Sequence, residues 1–256
     1  MRRKIISLLC AAALATTMFS LAACGGSTSG SDDRVWIIAT DTTFAPFEFT
    51  DEQGNFVGID MDILAAVAAD QGFKFEVQPM GFDAALQAVQ AGQADGVIAG
   101  MSITDERKEI FDFSAPYFDS GVVMGISATN DSIRSYEDLE GKKVAVKIGT
   151  EGETFAESIK DQYGFTTVAF KDSSMMYEDV VAGNSDALFE DYPVLGYAIA
   201  QGMPLQIVTE MERGSSYGFA VAKGQNQELL EMFDAGLANI KASGKYQEIL
   251  DTYIKR

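Results

Sequence analysis

Short apolar runs alternate along the chain with longer segments in which apolar residues recur at helical spacing. The apolar runs predict strands at residues 35–39, 73–77, 96–99, 122–126, 143–147, 167–170, 187–189, 205–208 and 217–222. The segments of helical spacing predict helices at residues 61–69, 82–91, 151–163, 175–182 and 191–201, and two more that begin near residues 227 and 245. Strands that alternate with helices are typical of an α/β fold with mainly parallel sheets.

The stretch at residues 94–118 joins a buried strand to a polar turn and the start of a helix. Gly100 and Ser102 follow the strand, and Arg107 comes after two acidic residues of the first helical turn. A guanidinium can hold a carboxylate through two parallel hydrogen bonds, and helix N-termini favour anions. The stretch therefore favours a site for a small carboxylate such as an amino acid. The alternative is that Arg107 pairs with a neighbouring acidic side chain at the surface.

Composition excludes several classes of function. A formal net charge of −19 argues against nucleic acid and against adsorption to anionic lipid. The chain has no histidine, and its cysteines are Cys10 and Cys24, both near the start. Catalysis by Ser-His-Asp or Cys-His groups and zinc sites built on imidazole or thiolate are thereby excluded. We expect neither metal nor cofactor, although chemistry on Asp or Glu stays open.

The first residues have the pattern of a secretory leader. Three basic residues precede an apolar stretch, and residues 1–23 are too short and too weakly flanked for a stable membrane span. The sequence Leu-Ala-Ala before Cys24 resembles the lipidation signal of bacterial lipoproteins, which predicts a lipid anchor on Cys24. The alternative is an ordinary leader that leaves Cys24 as a free thiol. Residues 24–33 are rich in Gly and Ser, which indicates a flexible tether.

Several segments together resemble one protein family. They are ATDTTFAPFEF (39–49), GIDMDI (58–63), PMGFDAALQAVQAGQAD (79–95), AGMSITDERKEIFDFSAPYF (99–118) and GKKVAVKIGT (141–150). In order and spacing they are similar to the polar amino-acid-binding proteins of ABC importers, solute-binding family 3, and most of all to its glutamine-binding members. The resemblance implies a two-lobed periplasmic-binding-protein fold with a ligand cleft between lobes and two hinge crossings, near residues 117–121 and 213–217. Lobe 1 would consist of residues 34–117 and 217–256, and lobe 2 of residues 121–213.

The resemblance also implies a set of ligand-binding residues. These are Asp41, Phe44, Phe82, Gly100, Ser102, Arg107, Lys147, Thr150, Glu151, Glu190 and Asp191. Arg107 and the backbone N–H groups of residues 150 and 151 would hold the ligand's carboxylate. Asp191, helped by the Gly100 carbonyl and the Ser102 hydroxyl, would hold its ammonium group.

The other implied residues would receive the ligand's side chain. Phe44 and Phe82 would sandwich it, while Asp41 and Lys147 would bond a side-chain amide. The chain departs from the family's glutamine binders in three places. Glu190 replaces a histidine, and Glu151 replaces a glycine. Ser102 replaces a threonine.

Local sequence offers structural alternatives for some of these residues. Thr150 begins a T-x-x-E capping box, which predicts that it opens a helix. Asp191 precedes a proline in the pattern of a helix start, and most phenylalanines are simply core.

We therefore expect an extracytoplasmic, lipid-anchored, monomeric receptor for a polar L-amino acid, without catalytic residues, that delivers its ligand to an ABC permease and its ATPase. Glutamine ranks first and arginine or lysine second, because Lys147 faces two carboxylates, Asp41 and Glu190, and an acidic side chain would be rejected. The alternatives are an amino-acid sensor or adhesin, and a dehydratase that acts through a carboxylate on the same fold.

Overall fold

The computed structural model describes residues 34–254, in which strands and helices alternate. The strands are β1 (Val35–Thr40), β2 (Phe49–Thr50), β3 (Phe56–Val57), β4 (Lys74–Pro79), β5 (Gly96–Val97), β6 (Phe111–Phe113), β7 (Phe118–Ser127), β8 (Lys143–Lys147), β9 (Thr166–Phe170), β10 (Ala187–Asp191), β11 (Leu205–Ile207), β12 (Glu212–Tyr217) and β13 (Ala220–Ala222). The helices are α1 (Ile59–Gln71), α2 (Phe82–Gln90), α3 (Asp105–Lys108), α4 (Glu151–Tyr163), α5 (Ser173–Val181), α6 (Tyr192–Ala200), α7 (Gln227–Ala242) and α8 (Lys245–Tyr253), with a 3-10 turn at Tyr136–Leu139. The described residues fall in one compact unit, Asp33–Arg256.

The first sheet has the strand order β4-β1-β5-β13-β6. β1 pairs in parallel with β4 and β5, whereas β13 is antiparallel to both β5 and β6. Because side chains alternate along a strand, Trp36 and Ile38 of β1 lie in one core with α1, α7 and α8. Ala39 lies in a second core with Val97 and with Phe82 of α2. The sheet is therefore covered by helices on both faces.

The second sheet has the order β11-β7-β10-β8-β9, and β12 also pairs with β7. β8 is parallel to β9 and β10, while β7 is antiparallel to its partners. One face packs Val144 and Phe189 against α4, and the other packs Ala145 and Leu188 against α5 and α6. Both sheets therefore form three-layered α/β arrangements.

The chain passes from the first sheet to the second between β6 and β7, and returns between β12 and β13. The two passing segments are paired with each other, since Phe118 of β7 lies opposite Tyr217 of β12. The first sheet thus takes strands from both ends of the described chain, and the second takes its strands from the middle.

The expectation of an α/β fold is confirmed, and α4 covers the predicted residues 151–163. Thr150 caps its first turn, and Gly164 ends it with a φ of 71°, a conformation that glycine adopts without strain. The single strand predicted at residues 217–222 is wrong: Tyr217 ends β12, and β13 begins only at Ala220. The helix that carries Arg107 is one turn long. The predicted leader, the predicted lipid anchor on Cys24 and the predicted tether lie outside the described residues.

Candidate ligand-binding site

The carboxyl ends of strands from both sheets meet at one cleft. Asp41 directly follows β1, Lys147 ends β8 and Asp191 ends β10. The residues that line this cleft are Asp41, Phe44, Phe82, Ala99, Gly100, Ser102, Arg107, Lys147, Thr150, Glu151 and Asp191. The structure thus brings together every predicted site residue except Glu190. Ligands of open α/β sheets bind at such strand ends.

The cleft is narrow because its side chains bond to one another. Its volume is about 10 Å³, close to the room that one water molecule needs. Arg107 Nη1 donates to the Ser102 carbonyl at 2.9 Å, and Nη2 donates to the Gly149 carbonyl, also at 2.9 Å. The second bond joins Arg107, which lies between β5 and β6 of the first sheet, to Gly149, which follows β8 of the second sheet. We therefore interpret the described conformation as closed.

Arg107 is buried at the head of the cleft, with 8% of its surface exposed. Its guanidinium lies 5.3 Å from the centre of the Phe82 ring, and Nη2 is 3.8 Å from Oε1 of Glu151. Burial lowers the pKa of Arg107, while the carboxylates of Glu151 and Asp191 oppose that shift. An arginine stays protonated in proteins, so the cleft holds a partly desolvated cation that can take a carboxylate.

Asp191 is the matching acidic group. Its Oδ2 accepts a hydrogen bond of 2.6 Å from the Tyr217 hydroxyl. Burial, and then the neighbouring Glu190 carboxylate, raises the pKa of Asp191 to about 7, whereas Tyr217 and Arg107 act in the opposite direction. A bound ammonium group would favour the ionised form.

The far end of the cleft contains a buried ion pair. Lys147 and Asp41 are each about 1% exposed, and Lys147 Nζ donates to Asp41 Oδ2. The ammonium also lies 3.4 Å from Oγ of Ser173 and 4.9 Å from the centre of the Phe44 ring. This end offers one donor and one acceptor to the side chain of a ligand.

Glu190 does not line the cleft. Its Oε2 accepts hydrogen bonds of 2.9 Å from the Ser173 hydroxyl and the Tyr177 hydroxyl, and its Oε1 accepts one of 3.0 Å from the Asp191 N–H. It therefore lies behind Lys147, on the far side of Ser173. Burial raises the pKa of Glu190, and the ammonium of Lys147 opposes that shift.

Gly100 and Thr150 shape the cleft through their backbones. Gly100 has a φ of 51°, and a Cβ there would lie 2.3 Å from Cε1 of Phe44, so only glycine fits. The Thr150 hydroxyl accepts a bond of 3.3 Å from the Glu153 N–H, as the capping box predicts. The reciprocal bond differs, because the Glu153 carboxylate accepts from the Gly149 N–H at 2.7 Å rather than from Thr150. The Thr150 N–H itself donates to the Lys147 carbonyl at 3.3 Å.

Sequence reasoning missed two groups that position these side chains. Tyr217, fully buried at the second passage between the sheets, bonds Asp191 and also accepts a bond of 2.9 Å from the Ser120 hydroxyl. Ser173 connects Lys147 to Glu190. Local sequence indicates only a strand residue at Tyr217, since its hydrogen-bond partners are distant in the chain.

A larger groove of about 720 Å³ lies elsewhere, along α6 and α8. Asp119 is the one charged residue among those that line it. The groove therefore lacks the paired charges that an amino acid's two ionised groups require.

The sequence matches the family of bacterial extracellular solute-binding proteins, family 3, over residues 36–256, and the chain belongs to that family. It is 31% identical over 250 residues to the arginine-binding extracellular protein ArtP of Bacillus subtilis, covering 96% of each chain. Among solved structures, an ancestral arginine-binding protein bound to glutamine is 39% identical with a TM-score of 0.80, over 87% of this chain and 98% of that one. Substrate-binding domain 2 of Lactococcus lactis GlnP in its open conformation is 44% identical with a TM-score of 0.61, over 87% of this chain and 96% of that one.

These findings define the class of protein. The chain has the two-lobed periplasmic-binding-protein fold of its family, and it is a solute-binding protein rather than an enzyme. Within residues 34–254, every helix is too short or too polar to cross a lipid bilayer. The same residues form no cluster of acidic or thiol side chains that could hold a metal ion.

Proposed function

We propose that this protein is an extracytoplasmic receptor that clasps the charged head of a polar L-amino acid between Arg107 and Asp191 and delivers it to an ABC permease and its ATPase. The observation that carries the proposal is that both residues line the same cleft, although Arg107 lies in α3, after β5 of the first sheet, and Asp191 ends β10 of the second. A guanidinium and a carboxylate are complementary to the carboxylate and ammonium of a free amino acid.

The two lobes close around the ligand, and closure is selected by contacts to both lobes. The bond from Arg107 to the Gly149 carbonyl supports this part of the proposal, because it joins the two sides of the cleft. We assign residues 34–117 and 217–256 to lobe 1 and residues 121–213 to lobe 2. The ligand replaces the bonds that the cleft side chains make to one another.

We propose glutamine as the first ligand and arginine or lysine as the second. Lys147 faces the carboxylates of Asp41 and, through Ser173, of Glu190, so this end of the cleft has an excess of negative charge. An acidic ligand would bury a further carboxylate without a partner, which is costly. The relatives named above support both choices, since one is an arginine-binding protein and the other is an ancestral arginine-binding protein whose structure has glutamine bound.

We further propose that Cys24 carries the lipid anchor and that the mature protein is a monomer tethered to the outer face of the membrane. Two or more acyl chains on one cysteine give stable anchoring. Membrane fractionation of cells that express wild-type protein or Cys24→Ser tests this point. The variant should leave the membrane fraction, and equal retention of both forms would contradict the proposal.

A thermal-shift panel of the twenty amino acids tests the ligand, using the chain without its leader and Cys24. A ligand at a hundred times its dissociation constant adds about 2.7 kcal/mol to the free energy of unfolding. We expect a shift with glutamine, or else with arginine or lysine, and none with glutamate. Failure of every amino acid to shift the transition would overturn the proposal.

The variant Arg107→Ala tests in the same assay whether Arg107 holds the ligand carboxylate. It removes charge-assisted hydrogen bonds to the ligand carboxylate, worth about 1.5–3 kcal/mol each, so the shift should vanish at ligand concentrations that saturate the wild type. Arg134→Ala is the matched control, because Arg134 is exposed and does not line the cleft. A full shift in Arg107→Ala would show that Arg107 does not hold the ligand.

A further inference from the structure

Two acidic side chains are buried side by side in the first lobe, outside the cleft lining. Glu48 and Asp60 are both fully buried. Asp60 Oδ2 accepts a hydrogen bond of 2.7 Å from the Gly100 N–H and one of 2.8 Å from the Tyr117 hydroxyl. Asp60 Oδ1 and both carboxyl oxygens of Glu48 receive no hydrogen bond from any residue among 34–254.

Backbone bonds at the start of α1 bring the two acids together. The Asp60 N–H donates to the Phe47 carbonyl at 2.9 Å, and the Phe44 N–H donates to the Glu48 carbonyl at 2.8 Å. Gly58 permits this approach, because a Cβ there would lie 2.0 Å from the Phe47 carbonyl oxygen. The acids therefore adjoin a tight turn whose first residue, Phe44, lines the cleft.

Two adjacent buried carboxylates cannot both be ionised, and an ionised carboxylate has no proton to donate. A single proton on Glu48 resolves both problems, since a carboxylic acid can donate to Asp60 Oδ1. The proton belongs on Glu48 because Asp60 already receives two hydrogen bonds that stabilise its anion.

The electrostatic surroundings agree with this assignment. Burial, followed by the carboxylates of Asp60 and Asp41, raises the pKa of Glu48 well above its ordinary value, and the ammonium of Lys147 opposes the shift. Burial raises the pKa of Asp60 to about 6, and its hydrogen bonds from the Gly100 N–H and the Tyr117 hydroxyl oppose that shift. Near neutral pH, the pair thus carries one proton.

We propose that Glu48, as a neutral acid, is a positioning residue that donates a hydrogen bond to Asp60. Asp60 in turn holds the Gly100 N–H at the ammonium end of the cleft and the Tyr117 hydroxyl next to the first passage between the sheets. This inference rests on the proposed function, in which the Gly100 carbonyl meets the ligand's ammonium group. Glu48 does not touch the ligand. Its donated proton keeps Asp60 oriented toward the Gly100 N–H, and so keeps the cleft wall in the binding geometry.

Binding measurements on three variants test the donor role. Glu48→Gln retains an N–H donor of similar size and should bind the amino acid found in the panel within about threefold of wild type. Glu48→Leu leaves Asp60 Oδ1 without a donor and should bind roughly tenfold or more weakly. Glu52→Gln, at an exposed glutamate of the same segment, is the matched control and should bind like wild type.

An infrared measurement tests the proton without any ligand. The difference spectrum of wild type minus Glu48→Gln at neutral pH should contain the carbonyl band of one protonated carboxyl group, and that of wild type minus Glu52→Gln should not. Asp191, whose pKa is about 7, contributes equally to all three proteins and cancels. No such difference band for Glu48→Gln, or folded Glu48→Gln that binds as weakly as Glu48→Leu, would overturn the inference. If Glu48→Leu does not fold, the infrared band and the affinity of Glu48→Gln still test whether Glu48 is the proton donor. A wild type that binds no amino acid would instead overturn the proposed function, while the band would still report the acid pair.

Discussion

Replacement of Asp41 by Asn separates the charge of the buried ion pair from its shape. Lys147 is about 1% exposed and donates to Asp41, so the substitution leaves a desolvated ammonium without its partner. Breaking a buried pair from one side costs about 3–5 kcal/mol. Lys147 retains Ser173 Oγ at 3.4 Å and the Phe44 ring at 4.9 Å, and Glu190 attracts it from behind. We therefore expect the lower end of that range, about 3 kcal/mol.

Urea unfolding measures this loss directly. With a slope of about 3 kcal/mol per molar urea for a chain of this size, the midpoint should fall by about 1 M. The same variant should begin to respond to glutamate in the thermal-shift assay, because Lys147 becomes free to pair with an acidic side chain. Asp105→Asn is the control, since it removes a carboxylate that pairs with Lys108 at 2.9 Å but is fully exposed. An unchanged midpoint in Asp41→Asn together with continued rejection of glutamate would refute the reasoning.

Three other changes have definite expected outcomes. Gly100→Ala should abolish binding in calorimetric titrations while the protein stays folded, because the new Cβ would lie 2.3 Å from Cε1 of Phe44. Undiminished affinity would contradict the cleft geometry. The affinity for the amino acid should weaken as pH falls through about 7, by up to about tenfold per pH unit, because protonation of Asp191 removes its attraction for the ammonium group. Tyr217→Phe should move the midpoint of this pH profile to higher pH, because the Tyr217 hydrogen bond lowers the pKa of Asp191. An affinity that does not change with pH would count against Asp191 as the ammonium-binding group. Glu151→Gln should strengthen binding of the ligand carboxylate, because Glu151 lies 3.8 Å from the Arg107 guanidinium and competes for it; weaker binding would assign Glu151 a supporting role.

Local sequence predicted the bounds of those helices that have capping residues at both ends. α4 has a capping threonine before it and a glycine after it, so its bounds follow from residues near in sequence. β2, β3 and β6 were missed because strands of two or three residues leave no periodic pattern. The division between β12 and β13 could not be predicted from local sequence, since it depends on distant pairing partners: β12 pairs with β7 of the second sheet, and β13 pairs with β5 and β6 of the first.

The site depended on more than local sequence. Residue spacing alone also allowed a surface ion pair for Arg107 and a helix start for Asp191. The family resemblance was needed to assign both residues to one ligand-binding site. Even so, it did not reveal which of two adjacent acids lines the cleft. Side chains alternate along a strand, so Asp191 lines the cleft while Glu190 bonds to Ser173 and Tyr177 behind it. Tyr217 and the Glu48–Asp60 pair depend on contacts between segments far apart in the chain.

The place of β13 fixes an order of events during synthesis. β13 lies between β5 and β6, yet it is made after the whole of the second sheet. Residues 118–217 emerge as one uninterrupted segment that contains every strand of the second sheet, whereas β6 can join β5 only through β13, which follows that whole segment. A nascent chain can thus complete the second sheet before β13 is available to complete the first.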